Sequence, residues 1–292
     1  MAFREGLLAL GYSGPMSLRL EVKIRSIPKD PRNLLLLSCP EPSLASVVAT
    51  EYIIDSLKMA EIGAIRIRGI EPAVTVIDGV AKLPHRLFYS QDAGLIVVRQ
   101  HIPIPMAAYR EFLEKVISWA EENGIQRAAC LSTMSSLGPS ESDNIYFVTD
   151  EYTAPSLVNL GLTPLREMVV VGVEAEFLDV VMSRGTMSGM VIFAESKLLT
   201  AINNLLRSGK VSSYRDITFI LNQTLGRYGP DVTAAVKLVK AVGKLIGKEI
   251  PVDKLEEHAS KYSFLVEKGI EEWVKRAAEA EVTTATGQPL IM

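Results

Sequence analysis

The chain has 292 residues, of which 48% are hydrophobic and 22% charged, and a formal net charge of −3. That balance can bury a sizeable core and excludes wholesale disorder. With no run of Lys and Arg longer than two residues, it also argues against a nucleic-acid surface, whose affinity comes largely from cations on phosphates.

Only Cys39 and Cys130 are present, and neither belongs to a CxxC or a Cys/His cluster. A zinc site and a disulfide-stapled secreted domain are both disfavoured, although the two thiols, each ending an apolar run, could meet in space. Residues 1–10 hold only the short apolar stretch Leu7-Leu8-Ala9-Leu10. A signal peptide needs a longer apolar region, and a membrane span needs about 20 apolar residues. A cytoplasmic location without membrane association is therefore expected.

In chain order, the first predicted element is a strand over 17–24. Leu18, Leu20, Val22 and Ile24 alternate with Arg19, Glu21 and Lys23, the period-two pattern of an edge or antiparallel strand with one wet face. Leu34-Leu35-Leu36-Leu37 is instead continuous, which suits a strand covered on both faces. A helix follows, with Ser43 as its expected cap and Leu44, Val47, Val48, Ile54 and Leu57 on its buried side. The next strand is predicted over 64–68, completing a βαβ unit. Asp78-Gly79 between two apolar stretches, 74–77 and 80–83, predicts a hairpin, and hence a mixed sheet.

Leu95-Ile96-Val97-Val98 predicts a second buried strand. Tyr109, Phe112, Leu113, Val116, Ile117 and Ala120 then recur at helical spacing, opposite Arg110, Glu111, Glu114, Lys115, Glu121 and Glu122. Asn123-Gly124 ends that helix. Strands are predicted over 128–131, 145–148, 168–173 and 217–221, a surface loop over 133–142, and helices over 191–206, 232–246 and about 252–280. The last helix carries an apolar stripe of Leu255, Ala259, Tyr262, Val266, Trp273 and Ala277. The expected organisation is one domain, 1–281, with appended C-terminal helices, and a flexible tail, 282–292.

Catalytic and ligand motifs are sparse. There is no GxxxxGK[ST] loop and no GxGxxG after a strand, so no phosphate cradle is signalled. His85, His101 and His258 are scattered without metal-ligand spacing. Cys130 ends a predicted strand, where α/β folds often place reactive groups, but a nucleophile needs a base beside it and none is signalled. Glu174, Glu176 and Asp179 could do acid–base work. A solvated helix face or first turn, where carboxylates favour the dipole, is the simpler reading. Gly185-Thr186-Met187-Ser188-Gly189-Met190 reads as a tight turn into a helix. Gly185 and Gly189 would then allow the turn and close packing on the sheet, or expose a helix N-terminus able to hold an anion. No catalytic residue, cofactor or metal is expected.

The order of these pieces resembles the proteasome assembly chaperone 2 family. The resemblance rests on the strand–proline–helix passage over 34–57 with Ile62-Gly63-Ala64-Ile65, on Leu95-Ile96-Val97-Val98, and on Trp119-Ala120-Glu121-Glu122-Asn123-Gly124-Ile125. It continues through Gly185-Thr186-Met187-Ser188-Gly189-Met190, Tyr228-Gly229-Pro230-Asp231 with Ala234-Ala235, Leu245-Ile246-Gly247 and Ile250-Pro251-Val252. It covers roughly 33–261. It implies an archaeal-type member with a three-layer α/β/α sandwich, phosphorylase- or hydrolase-like, whose mixed sheet is mostly parallel.

The resemblance further implies a non-enzymatic, homo-oligomeric scaffold or chaperone that binds proteasome α subunits. The alternative is a small-molecule binder or a hydrolytic or phosphorolytic enzyme on a nucleoside-phosphorylase-like fold. Leu255, Tyr262, Val266 and Trp273 are the candidate oligomer interface, and Leu290, Ile291 and Met292 the candidate partner-binding tip. Proteins that dock on the α ring often carry Tyr at the penultimate position. Ile291 stands there in this sequence, so the usual hydroxyl contact is absent.

Overall fold

The computed structural model describes residues 19–38, 41–68, 73–77, 79–104, 106–136, 143–207, 230–257 and 259. Its centre is a nine-stranded mixed sheet in the order β1-β3-β6-β7-β2-β8-β11-β9-β10. The strands are β1 Arg19–Ile24, β2 Leu34–Ser38, β3 Ala60–Arg68, β6 His85–Ser90, β7 Leu95–Gln100, β8 Arg127–Met134, β9 Ile145–Thr149, β10 Thr163–Pro164 and β11 Ser188–Glu195. β4 Thr75–Ile77 and β5 Val80–Lys82 pair only with each other, as a separate ribbon around Gly79 at φ 78°. The central strands β7, β2, β8 and β11 run parallel. Antiparallel pairing enters on one flank through β1-β3-β6-β7 and on the other through β9.

The buried run Leu34–Leu37 explains the layering. Leu34 and Leu36 face α1 Ala45–Ser56 and α6 Val232–Ile246, while Leu35 and Leu37 face α2 Met106–Glu122 and α4 Val173–Arg184. Each side chain is fully buried, at roughly 2 kcal/mol of hydrophobic stabilisation apiece. Two helices on each face of one sheet make the three-layer α/β/α sandwich. In α2, the predicted stripe Tyr109, Phe112, Leu113, Val116, Ile117 and Ala120 is wholly buried against the sheet. The remaining described helices are α3 Ala154–Asn159 and α5 Lys197–Arg207.

Several expectations are corrected. The stretch 191–206 is not one helix. Met190, Ile192 and Ala194 face one core and Val191 and Phe193 the other, so the apolar run is a strand buried on both faces. The helix begins only at Lys197, where the Ser196 Oγ accepts from the Leu199 amide at 3.3 Å. Gly185-Thr186-Met187 consequently leads out of a helix rather than into one. Gly185 caps α4 in the left-handed region at φ 65°. Gly189 lies in β11, and a Cβ there would sit 2.9 Å from Val181 Cγ1, so the close helix–sheet packing stands while no exposed helix N-terminus exists at this turn.

Residues 168–171 form no strand, and Met168, Val169 and Val171 are exposed. Ser43 is not the N-cap of α1. That position is Leu44, at φ 56°, without a side-chain cap. Its side chain is buried with Val47, Leu198 and Ile202, and this packing holds a leucine in a backbone region that costs roughly 1–3 kcal/mol. The predicted strand over 217–221 lies outside the described residues, as do Cys39 and His258.

Candidate functional site

In a parallel α/β sheet, the C-terminal ends of the strands form the crest where ligands usually bind. Here that crest is rich in polar side chains that bond to one another. Glu41 accepts from Ser43 Oγ and from the Ser46 amide, both at 2.8 Å. Ser43 Oγ lies 3.1 Å from Thr133 Oγ1, and Ser38 Oγ lies 3.0 Å from Thr50 Oγ1. Burial pushes the Glu41 carboxyl above its ordinary range, against the hydrogen bonds donated to it. Over β11, Tyr146 Oη donates to Glu195 at 3.4 Å, and Asp231 accepts from Ser196 Oγ at 2.8 Å while its other oxygen caps α6 through the Ala234 amide at 3.0 Å. These contacts join elements together.

Among the described residues, those singled out from the sequence do not assemble into a catalytic group. Cys130 is buried among apolar neighbours on the α2 face. Glu174 and Glu176 lie in the first turn of α4, as the simpler reading required. Glu174 accepts from Ser132 Oγ at 2.5 Å, and Arg110 of α2 pairs with Glu176 at 2.5 Å and with Asp179. The acidic cluster thus ties α4 to the sheet and to α2. Among the described residues no group of three His, Cys, Asp or Glu side chains is placed to hold a metal ion, and no helix is long and apolar enough to cross a membrane. Leu255 is buried in the chain's own core. Tyr262, Val266, Trp273, Leu290, Ile291 and Met292 lie outside the described residues.

Sequence reasoning missed a buried charge network. Glu51 of α1 is fully buried, with Oε1 2.7 Å from His101 Nε2 and Oε2 accepting from Arg99 at 2.9 Å. His101 Nδ1 lies 2.9 Å from Thr75 Oγ1, linking the β4–β5 ribbon to the sheet. The signal was present in Leu95-Ile96-Val97-Val98-Arg99-Gln100: a buried strand that runs straight on into a charged residue requires a buried partner.

An open feature lies at the opposite end of the strands. A cleft of about 710 Å³ is bounded by Gly94 before β7, Arg127 opening β8, Ser188 opening β11 and the end of α6. Tyr152, Leu157, Leu160, Leu245 and Ile246 supply apolar surface; Arg32, Arg127 and Lys244 supply cations, Arg32 already paired with Asp30 at 2.6 Å, and Asp92 supplies a carboxylate. Arg127 is positioned by donating to the carbonyls of Arg32 at 2.7 Å and Leu245 at 3.4 Å. Tyr152 is 86% exposed, and Leu160 is also exposed. A large aromatic held in water beside an apolar floor and a cationic rim is the composition of a protein-contact site.

A family model, the PAC2 family, matches residues 35–273. No curated protein matches the sequence. Among solved structures, the chain is similar to Pyrococcus furiosus PbaA, an archaeal homolog of proteasome-assembly chaperone, with a TM-score of 0.67 and 16% identity over 89% of this chain and 100% of that one. It is similar to Pyrococcus furiosus PbaB, an archaeal proteasome activator, with a TM-score of 0.61 and 18% identity over 86% of this chain and 98% of that one. A protein from Thermoplasma acidophilum gives a TM-score of 0.68 and 17% identity over 88% and 92% of the two chains. At these identities the structural likeness carries the fold.

Proposed function

The chain belongs to the PAC2 family, and from that premise we propose that it is a proteasome-related chaperone that acts by protein contact, with proteasome α subunits as its partners. The observation that carries the contact mode is the open cleft with Tyr152 and Leu160 at the surface, set against a crest whose polar groups are engaged with one another. A tyrosine brings a large apolar area and a hydroxyl at low conformational cost, and such residues dominate binding energy in interfaces. The cations Arg127 and Lys244 would steer an acidic partner surface.

The test is binding of purified proteasome α subunits to the intact protein, read by surface plasmon resonance. Wild type should bind, and Tyr152→Ala should weaken binding by about tenfold or more without lowering the melting temperature. Absence of binding by wild type, or full binding by the variant, overturns the reading. Light scattering on the same samples separates partner binding from association of the chain with its own copies.

A further inference from the structure

Arg86 and Arg99 stand directly opposite each other across the antiparallel pair β6–β7. Both side chains are buried, at 3% and 5% exposure. Both lie over the ring of Phe88, with guanidinium carbons 5.4 Å and 4.8 Å from its centroid. Each spends its Nη1 on one carboxylate at 2.9 Å, Arg86 on Glu61 and Arg99 on Glu51. The Nε and Nη2 atoms of both arginines have no hydrogen-bond partner among the described residues.

The coincidence has a definite geometry. Nε–H and Nη2–H lie along one edge of a guanidinium and form the fork that grips a carboxylate or phosphate with two parallel hydrogen bonds. Two adjacent, buried arginines therefore hold back the same recognition edge. Buried donors left unmet are costly, the more so when they are charged, and like charges directly opposite in a sheet repel. The nearby carboxylates are already shared: Glu51 is also 2.7 Å from His101, and Glu61 is 3.5 Å from Lys82. Glu61, 35% exposed, is in addition a wall of a surface cleft of about 610 Å³ whose other charged linings are Lys23, Arg25 and Lys82. Arg86 and Arg99 do not line that cleft; Glu61, which accepts from Arg86, is the residue the cleft shares with the pair.

We propose that Arg86 and Arg99 form a binding site for a small oxyanion, a phosphate or carboxylate group presenting at least two oxygens, which enters by displacing Glu61 from Arg86. The proposal is independent of the partner at the Tyr152 cleft. Binding to the native state alone raises the melting temperature with the logarithm of ligand concentration. The experiment is thermal unfolding of the full chain in inorganic phosphate and, separately, in malonate, each against chloride at matched ionic strength.

Wild type should gain stability in at least one of the two, and the anion that acts identifies the chemistry. Arg86→Lys, which keeps the charge but loses the fork, and Arg86→Met, which keeps the apolar stem, should each weaken the apparent affinity by tenfold or more. Equal responses of wild type and both variants would reduce the effect to a general salt effect and overturn the proposal. Should the variants fail to fold, titration of wild type into phosphate and malonate, followed by ³¹P and ¹³C line widths, decides: broadening of either supports the site. Broadening of neither means that water satisfies the arginines, and sinks it.

Discussion

His85 shows how one side chain couples the fold to pH. It is buried beneath α2, and its Nε2–H donates to the Ile102 carbonyl at 3.2 Å. Burial, opposed by that hydrogen bond and aided by the neighbouring His101, lowers its pKa from 6.5 to about 4. Between those values the unfolded chain binds a proton that the native chain refuses. Stability is therefore full above about pH 6.5 and falls as pH drops toward 4, by roughly 3 kcal/mol at the limit. Glu41 acts in the opposite sense. Its raised pKa contributes stability that is lost as pH rises through the folded value. The clean measurement is thus a difference: His85→Gln should show a shallower acid-side loss than wild type in urea titrations between pH 4 and 6.5. Parallel curves would refute the assignment.

Glu51 is the second residue-level prediction. Its carboxylate faces Arg99 and His101 with no solvent to replace it. Glu51→Gln leaves the guanidinium of Arg99 buried without a countercharge, and should cost about 3–5 kcal/mol, seen as a lower urea midpoint at unchanged slope. A shift below 1 kcal/mol would mean that solvent reaches the network.

At the scale of elements, two glycines hold neighbours at distances that a side chain would forbid. A Cβ on Gly63 of β3 would lie 2.4 Å from the Lys23 carbonyl oxygen and 2.6 Å from Ile24 Cα, both backbone. A Cβ on Gly189 would meet only the Val181 side chain, at 2.9 Å. Overpacking costs about 1–3 kcal/mol, and backbone yields less easily than a valine. Gly63→Ala should therefore destabilise more than Gly189→Ala, and should speed hydrogen exchange of the β1 amides, 19–24, at the sheet edge. Equal losses, with β1 exchange unchanged, would contradict this. The element-level errors share a cause. A continuous apolar run such as 190–194 is compatible with a buried strand or a buried helix, and only its place between β8 and β9 settles which. Val169 and Val171 carry strand-forming side chains, yet they pair with no strand among the described residues, because propensity without a partner builds no ladder.

At the scale of the molecule, net charge and local charge point in different directions. The whole chain is at −3, yet the cleft around Tyr152 gathers Arg127 and Lys244. Rim charges act mainly on encounter, and desolvated anchors mainly on dissociation. Lys244→Glu should accordingly slow association with proteasome α subunits several-fold at low salt, an effect that shrinks as salt rises. Tyr152→Ala should instead speed dissociation. Should both variants change only dissociation, the cationic rim would have no steering role.

What the sequence determined by itself was each element whose burial follows a local period. The alternation at 19–24 made β1 an edge strand, the run Leu34–Leu37 made β2 a strand covered on both faces, and the stripe from Tyr109 to Ala120 made α2. Together with the ordered family motifs, these were enough for the sandwich. What only the tertiary structure decided was which distant residues meet. β6 went unread because His85-Arg86 and Tyr89-Ser90 look like surface, and it is buried because β3 and β7 flank it. The same register sets Arg86 against Arg99, and the packing of α1 brings Glu51 to His101. Periodicity reports the face a side chain takes, because that is fixed by its own backbone. Pairing between strands dozens of residues apart depends on the whole sheet, and buried charges find their partners only once that register is set.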